Sequence, residues 1–241
     1  MPHRVFSGRT AAVTGASGSL GQALLRELHR QGASLVALTS SSTPLLLMDD
    51  TGQTIPLRQH TWSCGQEEEL RGLLAGVDLL VLNHGVNVHA DRSAAAVQRS
   101  LEVNALSCWR LLELFASLAA ADPSPQDQPR ELWMNTSEAE IQPALSPLYE
   151  ISKRLQGQLL SLRSLELAGP RLRLRRLVLG PFRSALNPIG LMSAGFVARE
   201  IVRQASWNWG LVIVSPNPLT YLLMPLAVLS RWAYFRLFSR S

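Results

Sequence analysis

The stretch from Arg9 to Leu38 limits the fold of this chain more than any other. Arg9-Thr10-Ala11-Ala12-Val13 reads as a short buried strand, and Thr14-Gly15-Ala16-Ser17-Gly18-Ser19-Leu20-Gly21 follows without a break. Leu20, Leu24, Leu25 and Leu28 then recur at helical spacing until Gly32 stops the helix, and Ser34-Leu35-Val36-Ala37-Leu38 is a second apolar strand. Strand, glycine turn, helix and strand in that order form the βαβ unit of doubly wound parallel sheets. Glycines let the backbone come close to a pyrophosphate, and amides at the start of the helix face its negative charge. An ordinary glycine-rich turn is the plain alternative, and the correct flanks argue against it.

Tyr149 and Lys153 are the second informative pair. They lie four residues apart in Ser146-Pro147-Leu148-Tyr149-Glu150-Ile151-Ser152-Lys153, so a helix puts both on one face. A free phenol titrates near ~10, and a neighbouring ammonium favours its ionised form. Such a pair can pass a proton near neutrality. Taken alone, the spacing equally describes a packed tyrosine beside a solvated lysine.

The two motifs, in this order and at this separation, resemble the short-chain dehydrogenase/reductase family over nearly the whole chain. Leu79-Leu80-Val81-Leu82-Asn83-His84-Gly85 is similar to the family's fourth strand and its Asn-Asn-Ala-Gly turn. Glu102-Val103-Asn104-Ala105 resembles the helix that carries its asparagine, and Leu132-Trp133-Met134-Asn135-Thr136-Ser137 the fifth strand that ends in its serine. Gly180-Pro181 stands where the family has Pro-Gly after strand six. The resemblance implies an α/β Rossmann-type fold, with a parallel sheet of about seven strands flanked by helices. It implies a nicotinamide cofactor and an oxidoreductase that interconverts a carbonyl and a secondary alcohol. Tyr149 would be the general acid/base, and Lys153 would assist it and hold the nicotinamide ribose. Ser137 would hydrogen-bond the substrate oxygen, and Asn104 would help hold a proton-relay water. The cofactor would lie on Gly15, Ser17, Gly18, Ser19, Leu20 and Gly21, on Thr39 and Ser40, on Asn83 and Gly85, on Tyr149 and Lys153, and on Gly180 and Pro181. A homo-oligomer is implied as well.

The departures from the family pattern carry information. Ser19 stands where the middle glycine of Thr-Gly-x-x-x-Gly-x-Gly belongs, and the glycines at 15, 18 and 21 follow Gly-x-x-Gly-x-x-Gly, as in extended or atypical members. The length suits a divergent member of classical size. His84 replaces the alanine of the Asn-Asn-Ala-Gly turn and reads as a turn residue or as a ligand-facing group. The spacing from Ser137 to Tyr149 is short, which makes Thr136 the reserve candidate for the serine role. Glu138 and Glu140 read as a solvated loop pair. No carboxylate follows the second strand, where Thr39-Ser40-Ser41-Ser42 stand instead. Enzymes that prefer NAD place an acid there, so NADP(H) is expected over NAD(H).

After Ser42 the usual crossover helix is missing from the pattern. Pro44-Leu45-Leu46-Leu47-Met48 and Gln53-Thr54-Ile55-Pro56-Leu57 flank Asp49-Asp50-Thr51-Gly52, which predicts a hairpin-like loop. Trp62, after the third strand, suits an adenine pocket or core packing equally well. Asp122 to Pro129 reads as a surface loop.

The 241 residues suit one Rossmann unit over 1–241, with an apolar and basic C-terminal segment at 219–241. Cys64 and Cys108 match no metal or redox spacing; both are expected to be buried, and no metal site is expected. The first residues lack the apolar run of a signal peptide, which points to a cytoplasmic protein. Net charge is +5, yet the basic residues are dispersed apart from Arg171, Arg173, Arg175 and Arg176, a cluster that reads as a solvated face. No recognition helix or aromatic-basic platform is present, so no nucleic-acid partner is expected. The stretch from Gln204 to Ser230 carries no charge, and Pro216, Pro218 and Pro225 are expected to interrupt it and prevent a spanning helix. The aromatic, leucine-rich and arginine-punctuated end suits peripheral membrane contact, a subunit contact or a lid over an apolar pocket. Any of these fits a small-molecule carbonyl or alcohol substrate of apolar character. A non-catalytic dinucleotide-binding sensor or scaffold on the same fold is the alternative class.

Overall fold

The computed structural model describes residues 5–122, 128–167 and 169–238. Seven strands form one sheet: β1 (Thr10–Thr14), β2 (Ser34–Thr39), β3 (Arg58–Thr61), β4 (Leu79–Leu82), β5 (Arg130–Ser137), β6 (Leu172–Leu179) and β7 (Leu211–Val214). Their order is β3-β2-β1-β4-β5-β6-β7, and every neighbouring pair is parallel. The order reverses between β1 and β4. Open sheets of this type bind ligands beyond the carboxyl ends of their strands at such a switch point.

Helices cover both faces. α1 (Ser19–Arg30) and α6 (Ala194–Ser206) bury Leu24, Leu25, Leu28, Val197 and Ile201 against one face. On the other face lie α2 (Arg71–Leu74), α3 (Ala94–Leu101), α4 (Ser107–Ala121) and α5 (Pro147–Leu167), with Leu74, Leu111, Leu112, Phe115 and Leu160 buried. Strands covered on both sides read as unbroken apolar runs, as Leu79-Leu80-Val81-Leu82 does. β3 is polar because it is the edge of the sheet, and Trp62 follows it directly.

The crossover from β2 to β3 is a hairpin-like loop, as expected. The Asp49 amide donates to Gln53 O (2.9 Å), the Ile55 amide donates to Leu47 O (2.8 Å), and Gly52 takes φ +81°. Asp49 Oδ1 accepts from the Thr51 and Gln53 amides. Trp62 is core: it is 8 % exposed and packs in the cluster that holds Leu82 and Leu112.

Four expectations need correction. Arg175 and Arg176 are buried on opposite faces of β6, because each meets a carboxylate held by β5 or the turn after it. Arg175 donates to Glu131 Oε2 (2.8 Å), and Arg176 donates to Glu140 Oε2 (2.7 Å). Burial alone would raise the Glu131 carboxyl, but Arg175, Trp133 and Arg9 around it hold it below the ordinary range. Burial likewise lowers Arg176. Glu140 is therefore no solvated loop residue. Its partners are Arg176 and Arg231, and Gly157 leaves room for it, since a Cβ there would come within 1.8 Å of Glu140 Oε2. Pro225 does not interrupt the C-terminal segment: α7 (Pro218–Phe238) runs straight through it. The N–H that the proline lacks would have bonded the carbonyl of Tyr221, an exposed residue. Cys64 is only partly buried, whereas Cys108 is fully so, and burial pushes the Cys108 thiol up to about 12. Residues 123–127 of the expected surface loop lie outside the described residues.

Candidate active site

The glycine turn closes tightly between β1 and α1. Gly15 has φ +62°, and a Cβ on it would come within 2.9 Å of the His84 backbone. A Cβ on Gly21 would sit 2.3 Å from Gly15 O, so the first turn of α1 rests directly on the loop. Gly18 is the N-cap of α1, no side chain caps that end, and the first turn holds no acid. Ser17, Gly18 and Ser19 are exposed, whereas the Leu20 side chain is 3 % exposed and belongs to the core. Any contact of Leu20 with a ligand is therefore through its backbone. This cradle, with amides at an uncapped helix start and no room for a side chain at Gly15 or Gly21, fits a dinucleotide pyrophosphate.

Thr39, at the end of β2, is buried. Its hydroxyl lies 3.3 Å from Ser17 Oγ and accepts from the Ser41 amide (3.1 Å). Ser40 is exposed beside it.

Asn83, His84 and Gly85 form the opposite wall, beyond β4. Thr14 Oγ1 accepts from the Asn83 amide (2.9 Å) and lies 2.8 Å from His84 Nδ1. His84 is partly exposed as a residue, but its ring is enclosed, edge-on to Trp62 at 5.2 Å and 3.6 Å from Cys108 Sγ. Burial first, and then the positive charge of Lys153, lower its pKa to about 4, so the ring is neutral. His84 is thus a built-in part of the turn. Asn83 Nδ2 reaches Gly15 O (3.4 Å), and Asn83 Oδ1 accepts from Asn135 Nδ2 (3.0 Å).

Asn104 is completely buried in a π-helical turn, Glu102–Leu106, set between α3 and α4. Such turns widen a helix locally and gather at functional sites. Its Oδ1 accepts from the Val86 amide (2.8 Å), and its Nδ2 donates to Val86 O and Ser152 Oγ (2.9 Å each). The side chain thereby pins the residue after Gly85 to the start of α5, and both of its donors are spent on protein. Ser152 Oγ in turn donates to Tyr149 O (2.9 Å).

Tyr149 and Lys153 share one face of α5, with Lys153 Nζ 5.8 Å from the centre of the tyrosine ring. Lys153 is 4 % exposed and donates to Asn135 O (3.1 Å) and Gln156 Oε1 (3.0 Å). Ser137 ends β5, and its Oγ accepts from the Ala139 amide (3.2 Å), which leaves the hydroxyl hydrogen free to donate. Thr136 Oγ1 instead donates to Leu177 O (3.2 Å), which turns it toward β6 and removes it as the reserve for Ser137. Glu138 is also engaged: it accepts from Ser215 Oγ (2.6 Å) and Thr220 Oγ1 (3.1 Å). Gly180 packs against the end of β7, where a Cβ would lie 2.6 Å from Ser215 Oγ. Pro181 O accepts from the Leu191 amide (3.0 Å) and closes the loop after β6.

The turns after β1, β4, β5 and β6 all lie beyond the carboxyl ends of the strands, the edge that holds the switch point. Sequence reasoning missed Asn135, Ser152 and Gln156. Asn135 lies two residues before Ser137 on the same strand face, Ser152 directly precedes Lys153, and Gln156 follows it by three, so strand and helix periodicity held the signal.

The family model of the NAD dependent epimerase/dehydratase family matches residues 11–139, from β1 through the turn after Ser137 and just over half the chain. This protein is a short-chain dehydrogenase/reductase of that family. The resemblance drawn from the two motifs therefore holds, and so does the seven-stranded parallel fold. The chain is 46 % identical over 235 residues to monoglucosyldiacylglycerol epimerase of Synechocystis sp., a match that covers 98 % of this chain and 56 % of that protein. It thus spans little more than half the length of that relative. Among solved structures, a short-chain dehydrogenase from Burkholderia cenocepacia, in complex with NADP, superposes with a TM-score of 0.75 at 18 % identity, covering 98 % of this chain and 99 % of that one. A putative 2-deoxy-d-gluconate 3-dehydrogenase from Agrobacterium tumefaciens, with bound NADP, superposes with a TM-score of 0.71 at 20 % identity, covering 92 % and 100 %. These short-chain dehydrogenases share the fold.

Proposed function

We propose that this protein binds a nicotinamide dinucleotide, NADP(H) in preference to NAD(H), and epimerises a secondary alcohol on the sugar headgroup of a glycolipid. The observation that carries the reading is the identity to a glycolipid epimerase across nearly the whole chain, supported by Tyr149 and Lys153 side by side on α5 and by Ser137 at the carboxyl end of β5. Inversion of a carbinol carbon proceeds through a ketone: a hydride leaves one face and returns to the other. A dinucleotide held on Gly15–Gly21 and by Lys153 supplies the acceptor and donor of that hydride.

The residues of this chain handle the proton. Tyr149 takes it from the sugar hydroxyl as the ketone forms and returns it when the carbinol is restored. Ser137 donates its free hydroxyl hydrogen to the same oxygen. Lys153, fixed by Asn135 O and Gln156, places a positive charge beside the Tyr149 ring. Asn104 positions both walls by tying Val86 to Ser152. The carbonyl–alcohol interconversion implied by the family resemblance is one half of this cycle.

The test supplies the protein with NADP(H) and monoglucosyldiacylglycerol, then releases and separates the headgroup sugars. A hexose epimeric with glucose should form with no net change in nicotinamide absorbance, and Tyr149→Phe should cut the rate at least about 10³-fold while dinucleotide binding stays intact. Steady net consumption of NADPH would instead describe a one-way reductase. An unimpaired Tyr149→Phe variant would remove the assignment of the acid/base.

A further inference from the structure

We infer that α7 is a lipid-docking surface that seats the protein on a membrane, with the mouth of the candidate site beside the bilayer. The helix has 21 residues, a length of about 31 Å at 1.5 Å per residue. Only Thr220 and Met224 are buried among them, and Met224 packs on Val178 and Ile213. The rest of the helix leaves Leu219, Leu222, Leu226, Leu229 and Leu237 each more than half exposed. A helix that is apolar all round is stable in water only where something covers it, and an exposed apolar patch of this extent marks a binding surface.

The chemistry of the patch points to lipid as the cover. Tyr221, Trp232 and Tyr234 are exposed on it, and such rings, apolar with one polar tip, settle at headgroup level. Its own charges are Arg231, which turns inward to pair with Glu140, and Arg236, which stacks on Trp232 at 5.1 Å and has no acid on the helix to oppose it. Cations beside exposed aromatics and leucines complement anionic headgroups over an acyl layer. The helix lies on the membrane rather than across it. Its inner side is held by α5 and β7, and among the described residues only Ala94–Ala121 meets the length and hydropathy of a span, being a core helix.

Polar contacts join α7 to the turn that follows Ser137. Asn217 donates to Gln142 (2.6 Å), Gln142 donates to Thr220 Oγ1 (2.9 Å), Ser215 donates to Glu138, and Arg231 pairs with buried Glu140 (3.1 Å). A membrane that holds α7 therefore also fixes the flank of the site. The loops beside Tyr149 and Pro181 add Leu145, Ile189 and Leu191, exposed at 98 %, 78 % and 75 %. The choice of lipid over other covers rests partly on the glycolipid reading above.

Flotation of the full chain with vesicles tests this without cofactor or turnover, so its outcome is independent of the epimerase assay. Phosphatidylcholine vesicles should bind the protein, and vesicles that also contain phosphatidylglycerol should bind it more tightly. The combined substitutions Leu222→Glu, Leu226→Glu and Leu229→Glu, all on exposed positions, should weaken binding at least tenfold while the melting temperature and dinucleotide binding remain. Failure to bind either vesicle overturns the inference. So does a concentration-dependent dimer that these substitutions abolish in a protein that ignores vesicles, which would assign the face to a second copy.

Discussion

His84 shows how a single residue ties fold and site together. Its ring is neutral because burial and Lys153 lower its pKa from 6.5 to about 4. A base with a lowered pKa takes up its proton in the unfolded chain first. Its contribution to stability is therefore complete above pH 6.5 and is lost as pH falls toward 4. The loss is on the order of 2 kcal/mol for a residue that is only partly exposed. His84→Asn should flatten the dependence of unfolding free energy on pH across that window, measured by denaturant titration; an unchanged slope would show that the ring is not held neutral. At this scale the sequence was most legible where a motif repeats a spacing. The elements that carry Tyr149, Lys153, Ser137 and Asn104 could all be located in advance. The surroundings of His84 could not, because Trp62, Thr14 and Cys108 meet it only through the pairing of β1 with β4 and the packing of α4.

Among the elements, the βαβ unit and the hairpin after β2 were readable because glycines, Asp49 and apolar periodicity all act locally. The glycine cradle gives a sharp test. Gly21→Ala would set a methyl 2.3 Å from Gly15 O, a backbone atom that cannot swing away, whereas Gly18→Ala meets its nearest neighbour at 3.3 Å. The first substitution should cost about 1–3 kcal/mol in stability, as overpacking does. It should also weaken dinucleotide binding at least tenfold by calorimetry, because it pushes the start of α1 away from the turn. The second should change both far less. Equal effects would mean that the close approach of α1 does not shape the site. β6 and α7 misled sequence reasoning for one shared reason. Alternating arginines and a mid-helix proline look like surface and breakage, and only the long-range partners Glu131, Glu140 and α5 show them to be buried links and a continuous helix.

In the whole molecule, the switch point between β1 and β4, the turn after β5 and the outer helix α7 form one connected unit. The unit runs from Gly15 through Asn83 and Asn135 to Lys153, and from Ser137 through Glu138 and Glu140 to α7. A dinucleotide that fills this edge touches only the folded state and raises stability by mass action, by about 2.7 kcal/mol at a hundredfold excess over Kd. For a chain of this size that is roughly 5–10 °C in Tm. On the reading proposed above, the end of β2 would decide which dinucleotide wins. No carboxylate stands there to repel a 2′-phosphate and the exposed Ser40 offers a hydroxyl, so NADPH should raise Tm more than NADH at equal concentration. Equal shifts would show that the end of β2 does not read the ribose. A lack of any shift would mean that Ser19 and His84 have closed the cradle to dinucleotides, and the sensor or scaffold class would then need another ligand. A shift with NADPH that survives Tyr149→Phe would separate binding from chemistry, leaving proton transfer as the one property of the site that the tyrosine alone supplies.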